Sequence, residues 1–431
     1  MPLRLDRSSA DFDEQFAKFL VAKREVSADV ERATRAIVDD VADRGDAALI
    51  EATRKFDRVE LDATGLRVSA ADIDAAAKAC DAATLDALKF ARDRIETFHR
   101  RQLPKDERFT DPLGVELGWR WSAIEAVGLY VPGGTAAYPS SVLMNAVPAR
   151  VAGVARVVMV VPAPDGKLNP KVLAAAQLSG VSEIYRVGGA QAIAALAYGT
   201  ATIAPVAKIV GPGNAYVAAA KRLVFGKVGI DMIAGPSEVL VIADDTGNAD
   251  WIAADLLAQA EHDTSAQSIL ITCSSTLADE VARAVQSQLS TLPRADIARA
   301  SWNDFGAIIV VNSIGDAIPI ANAIAAEHLE IMTADPEMLS AEIRNAGAIF
   351  LGAHTPEAIG DYVGGSNHVL PTARSARFSS GLAVLDFMKR TSILKCGPDQ
   401  LRALGPAAMT LGKAEGLEAH SRSVGLRLNL P

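Results

Sequence analysis

The chain has 431 residues, of which half are hydrophobic and 22% are charged, a composition typical of a packed globular protein. That length exceeds what a single hydrophobic core usually supports, so we expect two main domains with smaller appendages. The formal net charge of −9, with lysines and arginines scattered along the chain, argues against a nucleic-acid partner.

The three cysteines, Cys80, Cys273 and Cys396, lie far apart and form no CxxC pair. An odd number of isolated cysteines indicates a reducing compartment rather than a disulfide framework. The first residues lack the apolar core of a signal peptide, and the longest apolar runs, such as 157–161, have the length of a strand rather than of a membrane span. We therefore expect a cytoplasmic protein that does not bind membranes.

Before residue 126 the pattern is mainly helical. Residues 1–25 are polar and weakly patterned, and we interpret them as a short N-terminal arm. A helix is expected to begin at Ser27, whose hydroxyl can cap it, and a second helical stretch is expected to cover about 71–101. His99 lies in the charged end of that stretch, where we expect a side chain that faces solvent.

After about residue 125, short aliphatic runs alternate with helical segments. The runs that predict strands begin at residues 156, 183, 208, 239, 267, 306 and 348. Helical segments are predicted near 249–262, 276–288, 315–328 and 336–345. This alternation indicates parallel sheets, and right-handed crossovers make two doubly wound lobes the simplest topology. After residue 382 the strand pattern stops, and we expect a small, mostly helical tail.

Two pairs of polar residues lie on the predicted helices. Gln259 and His262 are three positions apart, so both side chains share one helix face and could bind a metal, although a polar surface is the more common reason for such a pair. Glu327 and His328 are adjacent, and two titratable groups at one helix end could serve two different proton transfers. For this pair, too, an exposed position is the simpler alternative.

The most irregular segment is 352–372, which contains four glycines, two prolines and two histidines. A stretch this long and irregular within a compact α/β chain is usually functional, and its candidate site residues are Asp361 and His368. In the tail, Glu415 and His420 are five positions apart, about 140° around a helix, so helical spacing alone aims them at no common point.

The sequence contains no GxGxxG fingerprint of a dinucleotide-binding domain. Glycine-rich turns at 188–189 and 211–214 could let a pyrophosphate approach the backbone at a helix N-terminus, but tight strand-to-helix turns explain them equally well. The segment 128–146 combines glycines with Tyr130, Tyr138 and two serines, a mixture that suits a ligand-binding loop without being diagnostic.

Eight segments in a fixed order carry a resemblance to a known family. They are YVPGGTAAYPSSVLMNAVPA, YRVGGAQAIAALAYGT, VGPGN, AGPSEVLVIAD, QAEHD, EHLE, HTPEAIGDYVGGSNHVLPT and AEGLEAH. Across about 125–420 the chain resembles the histidinol dehydrogenase family in all of them. No single segment would identify the family, but their common order makes a chance match negligible.

The resemblance implies an α/β fold of two incomplete Rossmann-like, doubly wound domains, with small N- and C-terminal elements exchanged between the subunits of a homodimer. On this basis 26–125 and 239–381 are expected to form the first domain, which carries the zinc and catalytic residues. The second domain, on the NAD side, is expected to comprise 126–238. The N-terminal arm precedes them, and 382–431 are expected to reach the partner subunit.

The resemblance also implies the activity and its residues. Members of the family oxidise L-histidinol to L-histidine through an aldehyde, the last step of histidine biosynthesis, with two NAD in succession and one Zn²⁺ per subunit. The implied zinc ligands are Gln259, His262, Asp361 and, from the partner subunit, His420. The implied substrate contacts are Ser237, Gln259, His262, His328, Asp361, His368, Glu415 and His420. NAD is implied to contact Tyr130, Gln191 and Asn214, and proton transfers are implied at Glu327 and His328.

The residue types suggest how these groups divide the work. Two histidines, one carboxylate and one amide oxygen suit Zn²⁺ and leave the site a charge of about +1, so we expect zinc to anchor the substrate's imidazole and amino group rather than to activate water. His328 is expected to remove the proton in both oxidations, because imidazole titrates near neutral pH. Glu327 is expected to activate the water that adds to the aldehyde.

Other functions are open at this point. The main alternative is a same-fold NAD-dependent dehydrogenase of another small alcohol, such as a sulfonated diol. A zinc hydrolase is disfavoured because the sequence has no HExxH motif, and a non-catalytic binding protein is disfavoured because every expected base and ligand is present. Formation of NADH from histidinol, compared with other alcohols, distinguishes these functions.

Overall fold

A computed structural model describes residues 1–21, 28–133 and 138–430 of the chain, which divide into two compact units. The first unit contains Met1–Gln102 and Glu125–Phe387, and the second contains Leu103–Ile124 and the segment from Met388 onward. Ser27, the predicted helix cap, and the middle of the glycine-rich segment 128–146 lie outside the described residues. Among the described helices, none is long and apolar enough to cross a membrane.

The strands of the described residues form three sheets. In chain order they are β1 (Leu3–Asp6), β2 (Glu107–Thr110), β3 (Glu116–Ala123), β4 (Ala126–Tyr130), β5 (Arg156–Val161), β6 (Glu183–Arg186), β7 (Lys208–Val210), β8 (Gly229–Ile230), β9 (Glu238–Ala243), β10 (Gln267–Thr272), β11 (Ala307–Val310), β12 (His328–Met332), β13 (Ala348–Leu351) and β14 (Met388–Lys395). All seven strands predicted after residue 125 are confirmed.

The α-helices lie between and around these strands. They are α1 (Phe12–Val21), α2 (Ala28–Arg44), α3 (Asp46–Asp57), α4 (Ala70–Ala79), α5 (Ala82–Arg100), α6 (Pro139–Val151), α7 (Pro170–Leu178), α8 (Gly189–Tyr198), α9 (Ala215–Val224), α10 (Ala249–Ala260), α11 (Ser275–Leu289), α12 (Ala295–Phe305), α13 (Ala317–Ile324), α14 (Pro336–Ser340), α15 (Glu357–Tyr362), α16 (Pro398–Ala414) and α17 (Glu418–Arg427).

The larger sheet of the first unit has six parallel strands in the order β1-β11-β10-β9-β12-β13. Every residue of β9 and of β10 is buried, as expected for aliphatic strands in a sheet covered by helices on both faces. Counted along the chain from β9, the strands follow the order 3-2-1-4-5, the first five strands of a doubly wound sheet. β1, within the segment predicted to be a short arm, pairs with β11 at the edge of this sheet over Leu3–Asp6.

The second sheet of this unit has five parallel strands in the order β6-β5-β4-β7-β8. Counted from β4, this is again the order 3-2-1-4-5. The β-branched run in β5 is buried over Val157–Val161, which places it at the centre of the layer. The two sheets together confirm the predicted α/β fold with parallel sheets.

Helices α2, α4 and α5 pack against the five-stranded sheet's own helices: α2 contacts α8 and α9, α4 contacts α7, and α5 contacts α6. Val38 and Leu49 share one hydrophobic cluster with Ile193 and Leu196 of α8. Helices of this kind are stabilised mainly by burying their apolar face, so the cluster decides where they lie. These helices therefore pack on the side of the five-stranded sheet, whereas the prediction groups 26–125 with 239–381.

Two predicted helices differ from the observed ones. The predicted helix over residues 71–101 is interrupted at Cys80, which is extended, and Asp81 then caps α5 by accepting the N–H of Thr84 at 2.8 Å. The helix predicted to reach residue 328 ends at Ile324, because Ala325 adopts a left-handed conformation with φ 51°. The next strand, β12, begins within the predicted helical range.

The second unit contains a three-stranded antiparallel sheet in the order β14-β3-β2, together with α16 and α17, which pack against each other. β14 pairs with β3 over its whole length, from Met388 opposite Ala123 to Lys395 opposite Glu116. The tail after residue 382 is mostly helical, as predicted, but it begins with a strand that the sequence did not predict. Most of β14 is exposed, so the strand lacks the aliphatic run that marks the buried strands.

Candidate active site

His328 is the first residue of β12 and is only 5% exposed. Its Nδ1–H donates to the backbone carbonyl oxygen of Glu238 on β9 at 3.2 Å. This contact assigns the proton of the neutral ring to Nδ1 and the lone pair to Nε2. Nε2 lies 3.4 Å from Oδ1 of Asp361. The nitrogen able to take up a proton therefore faces the residue predicted to bind metal.

Two further carboxyl groups lie close to the same ring. Nδ1 of His328 is 3.9 Å from Oε2 of Glu327 and 3.7 Å from Oε2 of Glu357. Glu327 is held in place because its Oε2 accepts the N–H of Glu238 at 3.0 Å. Glu357, at the start of α15, is 2% exposed. The imidazole is thus enclosed by carboxyl groups that lie mostly out of contact with water.

The electrostatics of this group follow from burial and close charges. Burial raises the pKa of Glu327 to about 7 and that of Glu357 to about 8, against the attraction of His328. Burial by itself lowers the pKa of His328, but the three neighbouring carboxyl groups raise it well above its ordinary value. Burial also acts to raise the pKa of Asp361, yet its contact with His328 lowers that pKa overall. The cluster is built to hold and exchange protons.

A second layer of carboxyl groups supports the start of α15. The backbone N–H of Glu357 donates to Oε1 of Glu330 on β12 at 2.6 Å. The carboxyl group of Asp255, on α10, lies within hydrogen-bond reach of Glu330. Burial raises the pKa of Asp255 to about 6 and raises that of Glu330 strongly, so the pair favours a shared proton. This arrangement fixes the short helix that carries Asp361.

Gln259 and His262 lie at the C-terminal end of α10, as their spacing predicted. Gln259 is 1% exposed, and among the described residues its Oε1 has no hydrogen-bond donor. The Nδ1–H of His262 donates to the carbonyl oxygen of Ala258 at 2.8 Å, which leaves the lone pair on Nε2. His262 is close enough to Asp361 for its charge to lower the pKa of that carboxyl group.

His368 joins this site from the irregular segment after α15. Its Nδ1–H donates to the carbonyl oxygen of Asp361 at 2.9 Å, and the hydroxyl of Ser141 lies 3.3 Å from its Nε2. Burial lowers the pKa of His368 and favours the neutral ring. Ser141 is in the first turn of α6, directly after the glycine-rich segment that follows β4. Two residues therefore meet at His368: Ser141, on the helix that follows β4 of the five-stranded sheet, and Asp361, on the helix that follows β13 of the six-stranded sheet.

The residue before His368 is fixed by a buried histidine. Asn367 donates from Nδ2 to the carbonyl oxygen of Met144 at 2.7 Å and lies 3.4 Å from Nε2 of His99. His99 is 0% exposed, and its Nδ1–H donates to the carbonyl oxygen of Ile95 at 2.8 Å. The expectation that His99 faces solvent was therefore wrong, since its side of α5 packs against the protein interior.

The residues predicted to contact NAD lie at the carboxyl edge of the five-stranded sheet. Tyr130 ends β4, Gln191 lies in the first turn of α8, and Asn214 caps α9 after β7. The Oη of Tyr130 accepts the N–H of Gly189 at 3.0 Å. Asn214 Oδ1 accepts two backbone N–H groups of α9, which leaves its amide N–H groups free to bind a ligand. Ligands of open parallel sheets bind at this edge.

The remaining predicted residues are Ser237, Glu415 and His420. Ser237 directly precedes β9, next to Glu238, whose carbonyl group contacts His328. Glu415 follows α16 and His420 lies in α17, both exposed in the second unit. Within the described residues of the first unit, the structure therefore brings together the predicted residues of the segments around 259, 328 and 361.

Comparison with known proteins decides the family. The histidinol dehydrogenase family model matches residues 21–428. Histidinol dehydrogenases of Bradyrhizobium diazoefficiens and Rhodopseudomonas palustris are 85% and 80% identical, each covering 100% of both chains. The crystal structure of histidinol dehydrogenase from Elizabethkingia anophelis is 36% identical and superposes with a TM-score of 0.94, covering 99% of this chain and 98% of that one.

This chain belongs to the histidinol dehydrogenase family. It is accordingly an NAD-dependent oxidoreductase of histidine biosynthesis that oxidises histidinol to histidine. Membership of the family confirms the predicted activity and sets aside the alternative of a dehydrogenase for another small alcohol.

Sequence reasoning did not find Glu357, although its side chain lies as close to His328 as Glu327 does. Glu357 follows Thr355-Pro356, a pattern that suggests an ordinary helix start with an acidic first turn. Burial was the missing information, since a first-turn glutamate is usually exposed. The one available signal was its position inside the irregular segment 352–372.

The residues of the first unit fit a metal by their chemistry. Buried Oε1 of Gln259 lacks a donor, and His262 presents a lone pair while its other nitrogen binds a backbone carbonyl, the usual support of a metal-binding histidine. Asp361 supplies a carboxylate. Among the described residues, however, no group of three His, Cys, Asp or Glu side chains could hold a metal by itself. A complete set therefore needs the amide oxygen and a further ligand.

Proposed function

We propose that His328 is the base of both oxidations catalysed by this histidinol dehydrogenase. The observation that carries the proposal is the position of Nε2, a buried ring nitrogen that faces the carboxyl group of Asp361 while Nδ1 donates to the carbonyl group of Glu238. In the first oxidation the alcohol loses its hydroxyl proton to Nε2 and a hydride to NAD, which gives the aldehyde and NADH. The proton and the hydride that leave the alcohol are thus taken up by His328 and NAD.

Glu327 is proposed to serve the second oxidation. Water adds to the aldehyde: Glu327 accepts a proton from that water as the new carbon–oxygen bond forms and returns it to the former carbonyl oxygen, which gives the neutral hydrate. The hydrate then gives its hydroxyl proton to His328 and its hydride to a second NAD, which yields the carboxylic acid. Glu327 and Glu357, 3.9 and 3.7 Å from Nδ1, provide a route by which protons leave the imidazole between the two steps.

Zinc is proposed to be held by one subunit's Gln259, His262 and Asp361 together with His420 of a second subunit. Imidazole, amide and carboxylate donors suit this ion, and when bound it supplies a positive centre for the imidazole and amino nitrogens of histidinol. The protein's own contribution is to hold these ligands still: Ala258 fixes the ring of His262, and Glu330 fixes the helix of Asp361 through Glu357.

The remaining substrate contacts are proposed from position and chemistry. His368 presents Nε2 beside Ser141, Ser237 lies at the start of β9, and both are suited to hydrogen bonds with a polar substrate. Glu415 is proposed to bind a basic group of histidinol. Because Glu415 and His420 belong to the second unit, we propose a homodimer in which these terminal elements are exchanged and complete the partner's site.

NAD is proposed to bind at the carboxyl edge of the five-stranded sheet through Tyr130, Gln191 and Asn214. Support comes from the turn at residues 188–189, where the start of α8 lies beside Tyr130, whose Oη accepts the N–H of Gly189 at 3.0 Å. The bare backbone lets a dinucleotide approach the start of α8 without a GxGxxG motif. We place the reaction in the cytoplasm, in keeping with three cysteines that are all free thiols.

A coupled assay tests the proposal. Purified enzyme is given histidinol and excess NAD, with and without prior treatment by a chelator, and NADH is followed by its absorbance. We expect two NADH for each histidinol, loss of turnover after chelation and recovery on adding zinc. One NADH per histidinol would contradict the double oxidation, and full activity in metal-free enzyme would contradict the zinc site.

A further inference from the structure

A buried ion pair outside the assigned site residues holds the loop between β7 and α9. Lys221 of α9 and Asp231, which follows β8, form this pair with side chains that are 2% and 1% exposed. Lys221 Nζ also donates to the carbonyl oxygen of Gly211 at 3.0 Å, and Asp231 Oδ2 accepts the N–H of Gly211 at 2.7 Å. The pair thus binds both backbone polar groups of one glycine.

Gly211 is a position where no side chain fits. Its φ is +108°, and a Cβ there would lie 2.2 Å from the carbonyl oxygen of Tyr130. Three residues later, Asn214 caps α9. The ion pair therefore fixes the short loop that joins the end of β7 to the start of α9 and that packs against the end of β4 at Tyr130. It thereby acts on two of the three residues proposed to contact NAD.

The same pair also anchors the connection to the substrate side. Asp231 Oδ1 accepts the N–H of Met232 at 2.6 Å, and Gly235 donates its N–H to the hydroxyl of Thr372 at 2.6 Å. The next elements along the chain are Ser237 and β9. The connection from β8 to β9 is consequently held at both ends. Asp231 of the ion pair holds its start, and Thr372, close in sequence to His368, holds Gly235 near its end.

Stability alone does not account for charges at this place. Burying an ammonium and a carboxylate costs desolvation energy, and a well-packed apolar pair of similar volume is often as stable. Around Lys221 the buried face of α9 is otherwise apolar, with Val217, Ala218 and Val224. An apolar residue at 221 would satisfy this packing but could not bind the carbonyl oxygen of Gly211.

We propose that Lys221 and Asp231 are positioning residues for NAD, which set the geometry of Tyr130 and Asn214 by holding Gly211 from both sides. The proposal rests on the NAD site proposed above. It assigns to the pair no contact with the reacting atoms. Its consequence is selective, since loss of the pair weakens binding of NAD more than binding of histidinol.

Three variants separate the loss of the contacts with Gly211 from the effect of leaving one buried charge without its partner. Lys221→Met keeps the volume and removes the donor to Gly211, Asp231→Asn weakens the pair, and the double variant removes both charges without leaving one buried alone. In all three we expect Kd and KM for NAD to rise by about tenfold, as for one lost hydrogen bond to a charged group, with KM for histidinol nearly unchanged. The double variant recovers thermal stability relative to Lys221→Met but not affinity for NAD.

Two further variants serve as controls, with NAD binding measured by calorimetry. Arg156→Met breaks the ion pair of Arg156 with Glu183, 2.7 Å apart at the amino ends of β5 and β6 in the same sheet, and should lower stability without weakening NAD binding. Asn214→Ala tests the NAD site itself and should weaken NAD binding.

The outcomes distinguish the two proposals. Weaker NAD binding in Asn214→Ala together with unchanged binding in every Lys221 and Asp231 variant would overturn the positioning role and leave the NAD site standing. Unchanged binding in all of them would overturn both. An equal loss in Arg156→Met would show general destabilisation of the sheet, and the positioning role would be overturned by that result as well.

Discussion

The Nδ1 atom of His328 lies 3.2 Å from the backbone carbonyl oxygen of Glu238. The contact follows from the sheet, because β12 pairs with β9 in a register that places His328 opposite Val239, the next residue after Glu238. A carbonyl oxygen only accepts hydrogen bonds, so it holds the ring proton on Nδ1 and leaves Nε2 free to act as a base. The register of two parallel strands thus decides which nitrogen does the chemistry.

Replacing His328 by Gln tests this assignment. Because the same nitrogen is proposed to act in both oxidations, we expect kcat to fall by roughly 10²–10⁴-fold with either histidinol or the aldehyde as substrate. Single-turnover measurements of NADH with each substrate give the two values. The control is His354→Gln, since His354 is exposed and contacts only the Trp251 ring among the described ring contacts. A large loss in one oxidation alone would contradict a shared base.

The sequence predicted the buried part of the fold well and the site only in part. Aliphatic runs such as 156–161 predict buried parallel strands because only strands of this type lack polar positions. Glu327 and His328 were predicted at the end of a helix, whereas they follow it, because the left-handed Ala325 ends the preceding helix before them. The amino-acid sequence rarely predicts a left-handed conformation at an alanine, because the packing around the residue causes that conformation.

Other parts of the site depend on contacts that no sequence pattern specifies. Glu357 and Glu330 are ordinary acidic residues until the fold buries them. The Gly211 loop lacks a nucleotide fingerprint, and its importance is visible only in the ion pair that holds it. The roles of Glu415 and His420 came from resemblance, because five positions on a helix aim two side chains apart.

Glu327→Gln separates the two oxidations. The amide oxygen of Gln can still accept the N–H of Glu238, which Glu327 accepts at 3.0 Å, so the strand connection should survive. The amide cannot take a proton from water, and we expect oxidation of the aldehyde to slow by roughly 10²–10⁴-fold while oxidation of histidinol changes little. NADH formed from each substrate is the measurement. Equal losses in both oxidations would rule out a separate role for Glu327.

His262→Asn tests the proposed metal site through the zinc content of the protein rather than through its activity. The variant lacks the ring whose Nδ1–H is held by the carbonyl oxygen of Ala258, and with it one of four ligands. We expect zinc content after dialysis to fall well below that of the wild-type enzyme, as measured by elemental analysis. His354→Asn serves as the matched control and should retain its zinc. A fully occupied His262→Asn variant would remove His262 from the metal site.

His99 gives the protein a dependence of stability on pH that is independent of the metal site. Burial lowers the pKa of His99 in the folded protein, whereas in the unfolded chain the ring titrates near its ordinary value. Below about pH 6.5 the unfolded state therefore binds more protons than the folded one, and the free energy of unfolding decreases as the pH falls. Above that pH both states are neutral, and His99 contributes no pH dependence.

Urea unfolding at about pH 7 and about pH 5 measures this contribution when wild type is compared with His99→Gln. The glutamine can still donate to the carbonyl oxygen of Ile95 but takes up no proton, so the variant should lose less stability between the two pH values. His354→Gln, which removes an exposed histidine, should behave like wild type. An identical loss in His99→Gln and wild type would mean that the buried ring is already protonated in the folded protein, in conflict with its 0% exposure and its contact with Asn367.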